Sequence, residues 1–202
     1  MNKKKNKKIL ILGAGALGSN LAANLAADLR NEVELTVLDH DKVEERNVTA
    51  GTQFYMPDQV GMMKTEALQY NIYKWFNKEI ETINELLSDD NIRHLADYDL
   101  VIDCFDNEAS RQRIQDSQAT EITGALLHCG FSPLMTFEVT WAKNYKVPED
   151  SPEGSRDICE MEGARAFIQR VAAITGGAVR DFIIDKKKSE YLGNRYTTHR
   201  LA

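Results

Sequence analysis

The sequence predicts an α/β fold, with a doubly wound, mainly parallel sheet and additional strands near its C-terminal end. Three observations predict it. Strand-like apolar runs alternate with helix-period segments along most of the chain. Residues 9–29, "ILILGAGALGSNLAANLAADL", read as a strand, a glycine turn and a helix. "YDLVIDC", residues 98–104, contains the continuous apolar run of a strand covered on both faces. Together these describe a Rossmann-like arrangement in one domain spanning residues 1–202.

The elements follow in order. Residues 1–7 form a basic tail, residues 8–12 a buried strand and residues 18–29 a helix. A lysine-rich start before an apolar run also resembles an export signal. Leu17, Leu21, Leu25 and Leu29 recur every four residues, a packing stripe that such a signal does not need. "EVELTVLD", residues 32–39, is a second strand ending on Asp39, and "HDKVEERNVTAGTQ" is a polar loop. A helix starts at Gly61, with Leu68, Ile72, Trp75 and Phe76 at helical spacing. Residues 79–86 hold a short strand, 98–104 a buried strand, 108–119 a polar helix, and 125–129 and 135–141 two further strands. Residues 143–157 are rich in Pro, Glu, Asp and Ser, which predicts a mobile loop. Residues 160–182 form a helix that packs through Ala164, Phe167, Ile168, Val171, Ala172 and Phe182, and residues 191–201 a closing strand.

Composition narrows the function classes. The 202 residues are 43% hydrophobic and 28% charged, ordinary for a globular chain. A net charge of −6 argues against nucleic-acid or anionic-membrane partners. No run of about 18 uninterrupted apolar residues suggests a membrane span. The three cysteines are too scattered for a disulfide framework, and no CxxC pair offers a four-cysteine zinc site. The expected compartment is the cytoplasm.

Gly13, Gly15 and Gly18 form G-x-G-x-x-G between a strand and a helix. The first allows the tight turn, the second lets a phosphate approach the backbone, and the third lets helix and strand pack closely. Helix N-terminal amides then face an anion. Asp39 ends the next strand, where a carboxylate accepts from ribose hydroxyls. The pattern suits NAD as well as ATP. Lys64 in the first turn of a helix, a poor place for a cation in dipole terms, favours a triphosphate. Asp103 and Asp106, beyond the carboxyl end of a strand, favour Mg²⁺ shared with phosphates.

"GAGALGS", "LDHDKVEERNV", "VGMMKTEA" and "VIDCFDNEASR" stand in this order in the chain. With them the sequence resembles the ThiF/MoeB/HesA family of ubiquitin-activating-enzyme-like adenylyltransferases. The resemblance implies Mg·ATP binding and ATP-dependent adenylylation of the C-terminal glycine carboxylate of a small ubiquitin-like or sulfur-carrier protein ending in Gly-Gly, with release of pyrophosphate. It implies phosphate contacts from Gly15, Gly18 and Lys64, ribose contact from Asp39, and Mg²⁺ binding by Asp106. Asp41, Asn47 and Asn107 complete the wall of the site, and a homodimer is expected.

"DICEMEGARAFIQ" resembles the family segment in which a cysteine precedes a helix, so Cys159 is either a thioester-forming nucleophile or an ordinary half-buried thiol. Asp157, Glu160 and Glu162 oppose its thiolate. Cys104 and Cys129 are expected in the core, His40 and His128 as structural, and His94 and His199 at the surface. The family's x-x-Arg-Gln after the loop asparagine is absent here, as is an arginine in the segment before the first strand. Arg46 and Arg111 are the two candidates to replace the loop arginine. A nucleotide-binding subunit without catalysis and an NAD-dependent oxidoreductase are the alternatives.

Overall fold

The computed structural model of the chain describes residues 6–29, 31–118, 121–150, 152 and 157–201. An eight-stranded sheet organises them in the order β3-β2-β1-β4-β5-β6-β7-β8. The strands β1 (Lys7–Leu12), β2 (Val33–Leu38), β3 (Glu81–Ile83), β4 (Leu100–Asp103) and β5 (Ala125–Phe131) run parallel. The strands β6 (Thr136–Trp141), β7 (Glu190–Asn194) and β8 (Thr198–Leu201) continue the sheet antiparallel.

Two apolar clusters explain the continuous apolar runs. Ile9 and Ile11 of β1 join the cluster that contains α1 (Ala16–Asp28), α3 (Lys64–Phe76) and α5 (Ala164–Arg180). Leu10 and Leu12 join the opposite cluster, with Ile114 of α4 (Glu108–Ser117) and the 3-10 turn Ile92–Asp97. A strand covered on both faces needs apolar residues at every position, not every second one. Leu17, Leu21, Leu25 and Leu29 are all buried in the first cluster. Each contributes about 2 kcal/mol through the area it removes from water.

Several boundaries differ from expectation, each for a local reason. The basic tail is shorter than expected, since Lys7 already pairs with Val33 in β1; residues 1–5 lie outside the described residues. Gly15 caps α1, which starts at Ala16. The polar loop holds a short helix, α2 (Glu45–Thr49), capped because Glu44 N–H donates to Asn47 Oδ1 at 2.8 Å. Gly61 has φ +92°, so it shapes the turn before α3, which begins at Lys64. Trp75 is exposed, tilted against Phe54.

Gly163, at φ +80°, separates the turn Ile158–Glu160 from α5, and a π-turn Asp181–Asp185 follows that helix. The closing strand is a hairpin. Asn194 Oδ1 accepts from Tyr196 N–H at 2.8 Å and Thr197 N–H at 3.0 Å, a side-chain turn that reverses the chain between β7 and β8. The expected mobile loop and the end of the polar helix fall partly outside the described residues. Among the described residues, no helix is long and apolar enough to cross a membrane.

The strand order reverses between β1 and β4, where α/β sheets bind ligands beyond their carboxyl ends. A cavity of about 1050 Å³ opens there.

Candidate nucleotide site

The glycine turn is tied down from both sides. Gly13 sits at φ +91°, and its N–H donates to Leu38 O at 2.8 Å. A Cβ on Gly18 would stand 1.9 Å from Gly13 O, so α1 approaches β1 as only glycine permits. A Cβ on Gly15 would meet nothing within 4 Å, which leaves open space before the first amides of α1. Asp39 spends both oxygens on backbone: Oδ2 accepts from Ala14 N–H at 2.6 Å and Oδ1 from Asp41 N–H at 2.8 Å. Each oxygen retains a second lone pair for a hydroxyl. Tyr55 Oη donates to Ala14 O at 2.5 Å. Burial and the charge of Asp39 push this phenol well up, which keeps its proton in place.

Lys64 is the first residue of α3 and almost buried, with Nζ 2.8 Å from Asp41 Oδ2. Burial pushes the Asp41 carboxyl up, but the Lys64 hydrogen bond and charge pull it below its usual value. Arg46, on α2, is exposed and paired with Glu44 at 2.5 Å. Asn47 is buried in the first turn of α2, its side chain holding the Glu44 cap, and it lines the cavity. His40, expected as structural, is an exposed rim residue 3.5 Å from Asp41. Asp39, His40 and Asp41 hold three donor atoms within 4.8 Å, but the Lys64 ammonium already supplies the countercharge.

Asp106 is exposed on the cavity wall. No hydrogen bond or ion pair engages its carboxylate among the described residues, in keeping with an available hard oxygen donor. Asn107 fixes the turn by accepting from Ser110 N–H at 2.8 Å, capping α4. Asp103 does not share the rim with Asp106. It ends β4 fully buried, 2.7 Å from His128 Nδ1, and His128 stacks on Tyr145.

Arg111 lines the cavity with much of its guanidinium already engaged. Its Nε donates to Phe105 O at 2.7 Å, Nη1 to Tyr145 Oη at 2.7 Å and Nη2 to Cys129 O at 3.3 Å. Burial opposes its charge, but Asp103 and Tyr145 more than offset that, so the cation persists as an internal brace. Gly130 admits it: a Cβ there would be 2.5 Å from Nη2.

The cysteines divide. Cys129 is buried, while Cys104 reaches the cavity wall with its sulfur 3.4 Å from that of Cys129. The Cys129 contact and burial push the Cys104 thiol well up. Cys159 lies on the cavity in the turn Ile158–Glu160, its N–H donating to Asp157 Oδ1 at 2.8 Å. Cys159 does not start a helix, since α5 begins at Ala164. Burial, with the charges of Asp157 and Asp106, pushes this thiol up, and its three-residue turn has little dipole to oppose them.

Gly13, Gly15, Asp39, Asp41, Arg46, Asn47, Lys64, Asp106, Asn107 and Cys159 all line this cavity, while Gly18 lies behind its floor against Gly13. The family model described as "ThiF family" matches residues 1–201. The chain belongs to the ThiF family.

Within that family, it is 36% identical over 115 residues to the "Adenylyltransferase and sulfurtransferase MOCS3" of Caenorhabditis briggsae, covering 55% of this chain and 28% of that protein. The Aedes aegypti protein of the same name is 31% identical over 118 residues, covering 57% and 26%. The matched region is thus about a quarter of these curated relatives. A structure of E. coli MccB with ATP shares the fold at a TM-score of 0.74 and 16% identity, over 99% of this chain and 64% of that one. A PaaA structure does so at 0.70 and 19%, over 96% and 63%.

Three contributors escaped the sequence reading of this ThiF-family chain. Tyr55 lies 41 residues from the turn it clamps. The brace of Arg111, Tyr145, His128 and Asp103 joins four separate segments. Glu138 lines the cavity from β6. Thr136, Glu138 and Thr140 alternate with apolar residues, a signal that one face of that strand is not covered by core.

Proposed function

We propose that this chain binds Mg·ATP in the cavity and adenylylates the C-terminal glycine carboxylate of a small ubiquitin-like or sulfur-carrier protein ending in Gly-Gly, releasing pyrophosphate. The observation that carries this reading is that the open N-terminus of α1 at Gly15 faces the same cavity as Lys64 and Asp106. Lys64 in the first turn of α3 favours a triphosphate over NAD. The names of the relatives support the reading: the MOCS3 proteins are named adenylyltransferases, and MccB structures are titled with ATP and with MccA.

The residues suit the chemistry. When bound, Mg·ATP supplies an electrophilic α-phosphorus, with the metal's charge on the phosphates. Asp106 would hold the metal, since an exposed carboxylate with no hydrogen bond or ion pair among the described residues is the oxygen donor Mg²⁺ prefers. The amides after Gly15 hold phosphate, Asp39 holds the turn and meets ribose, and Lys64 neutralises phosphate charge. Asp41, Asn47 and Asn107 keep these groups in place. Arg46 is exposed enough to leave Glu44 for a phosphate. The substrate's carboxylate is already a nucleophile, so no general base is required. The chain's contribution is positioning and charge neutralisation. Cys159 has no part in this step.

One observation favours a second reading, a nucleotide-binding partner subunit without catalysis: Arg111 is tied to Phe105, Tyr145 and Cys129. ATP–pyrophosphate exchange with carriers ending in Gly-Gly separates the two. Exchange that falls on the order of 10²–10³ in rate in Asp106→Ala, with unchanged melting, supports adenylylation. ATP binding without exchange supports the partner subunit. Wild-type turnover in Asp106→Ala removes Asp106 from the mechanism. A single adenylation domain, a homodimer and a cytoplasmic setting belong to the same proposal, and sedimentation of the purified chain tests the dimer.

A further inference from the structure

Beyond the nucleotide end, the cavity extends over the open face of β5, β6 and β7. Glu138 sits at its centre, paired in register with Gly130 on one side and Leu192 on the other. Side chains at paired positions share a face. Glu138 therefore stands on the side of His128 and Arg111, opposite the apolar face that packs on α5 through Phe137 and Val139. Gly130 has no side chain, Leu192 is apolar, and the Arg111 donors described above go to Phe105, Tyr145 and Cys129. No hydrogen bond reaches the Glu138 carboxylate among the described residues.

Burial pushes the Glu138 carboxyl up, against the pull of Arg111 and His128. A half-buried acid with no hydrogen bond is costly to keep unless a partner arrives from outside. The charge of the surrounding wall indicates which kind. Among the described residues, nine Asp or Glu and four Lys or Arg line the cavity as a whole. A segment passing over this face meets negative potential, although its own carboxylate and the nucleotide are both anionic.

We propose that Glu138 is a specificity-determining residue that receives a cationic side chain, Lys or Arg, from the C-terminal segment of the substrate. The inference rests on the adenylylation reading only in taking that segment as the substrate. A cation supplies the missing hydrogen bonds and adds to the pull of Arg111 and His128, and its aliphatic stem has Leu192 to lie against. A neutral carboxamide supplies the hydrogen bonds alone, and an acidic tail is repelled.

Short peptides ending in Gly-Gly test it, identical except for one position near the C-terminus that carries Arg, citrulline or Glu. Citrulline keeps the shape of Arg and its N–H and one NH₂ donor group, with a carbonyl in place of the second NH₂ and no charge. Binding is read by fluorescence anisotropy without ATP, and turnover by pyrophosphate exchange. The Arg peptide is expected to bind on the order of 10-fold tighter than the citrulline peptide, with the preference weakening as salt rises. Glu138→Gln should lose the preference with unchanged melting, and Glu138→Lys should transfer it to the Glu peptide. Equal binding of all three peptides, no binding of any, or a preference that survives Glu138→Gln overturns the inference. Arg-selective binding that depends on Glu138 but gives no exchange leaves Glu138 in place and removes adenylylation. Exchange that is blind to the three peptides does the reverse.

Discussion

Around the glycine turn, the protein's own hydrogen bonds reach the polar groups of the loop; across the cavity, on the face of β5–β7, they stop. Ala14 is held at its N–H by Asp39 and at its carbonyl by Tyr55, and Gly13 by Leu38, with open space only where Gly15 meets the helix N-terminus. On the other side, Arg111, held by Tyr145, lines the cavity together with Glu138 and Leu192. The difference teaches how the two ends divide their work. A site built mainly from backbone amides serves a ligand common to many proteins, because amides are the same whatever the sequence. A site built from side chains on an uncovered sheet face can be retuned one residue at a time, and the proposed substrate choice belongs there.

The sharpest way to break this contrast is at Gly18. Gly18→Ala forces its Cβ to 1.9 Å from Gly13 O, an overlap that no rotamer relieves. A loss of about 3 kcal/mol is expected in denaturant titration, together with nucleotide binding. Gly15→Ala has empty space for its Cβ and should retain stability while losing nucleotide affinity. Matching losses in both would mean that the turn does not separate packing from ligand space.

Asp39→Asn comes next. A carboxamide keeps one acceptor and turns its NH₂ toward the other backbone N–H, so about 2 kcal/mol should be lost. On the opposite side, Gly130→Ala presses its Cβ against the pinned Arg111 guanidinium at 2.5 Å, with an expected cost of about 1.5 kcal/mol. A neutral outcome there would show that Arg111 is free to leave its brace, and would reopen its claim on phosphate.

The smallest effect is at Asp41, whose side chain is 51% exposed. Asp41→Asn should cost about 0.5 kcal/mol at neutral pH, since solvent screens the Lys64 pair. The folded carboxyl is held below its usual value, so the stabilisation is complete above that value and is lost as pH falls through the lowered one. Wild type and variant should therefore converge in melting temperature in acid. A gap that persists unchanged there would assign the effect to something other than the ion pair.

What could be read from the letters was what depends on near neighbours. The alternating strands and helices, the leucine stripe of α1 and the spacing of Gly13, Gly15, Gly18 and Asp39 are patterns within a few tens of residues. Local backbone geometry makes them legible. The added C-terminal strands were legible as strands. Their hairpin was not, because the reversal hangs on one Asn194 side chain bonding two backbone amides. The break at Gly163 was hidden for a similar reason, since an apolar helical period continues across it.

The sequence by itself determined the parallel half of the sheet and the glycine turn at its edge, because apolar periodicity and glycine sterics act on short stretches of chain. Only the tertiary structure decided that Tyr55 clamps the turn, that Arg111 braces Phe105, Tyr145 and Cys129, and that Glu138 faces the cavity with no hydrogen bond to its carboxylate among the described residues. Those outcomes depend on which distant residues the register of β4, β5, β6 and β7 brings together, and on where a missing Cβ lets one side chain through.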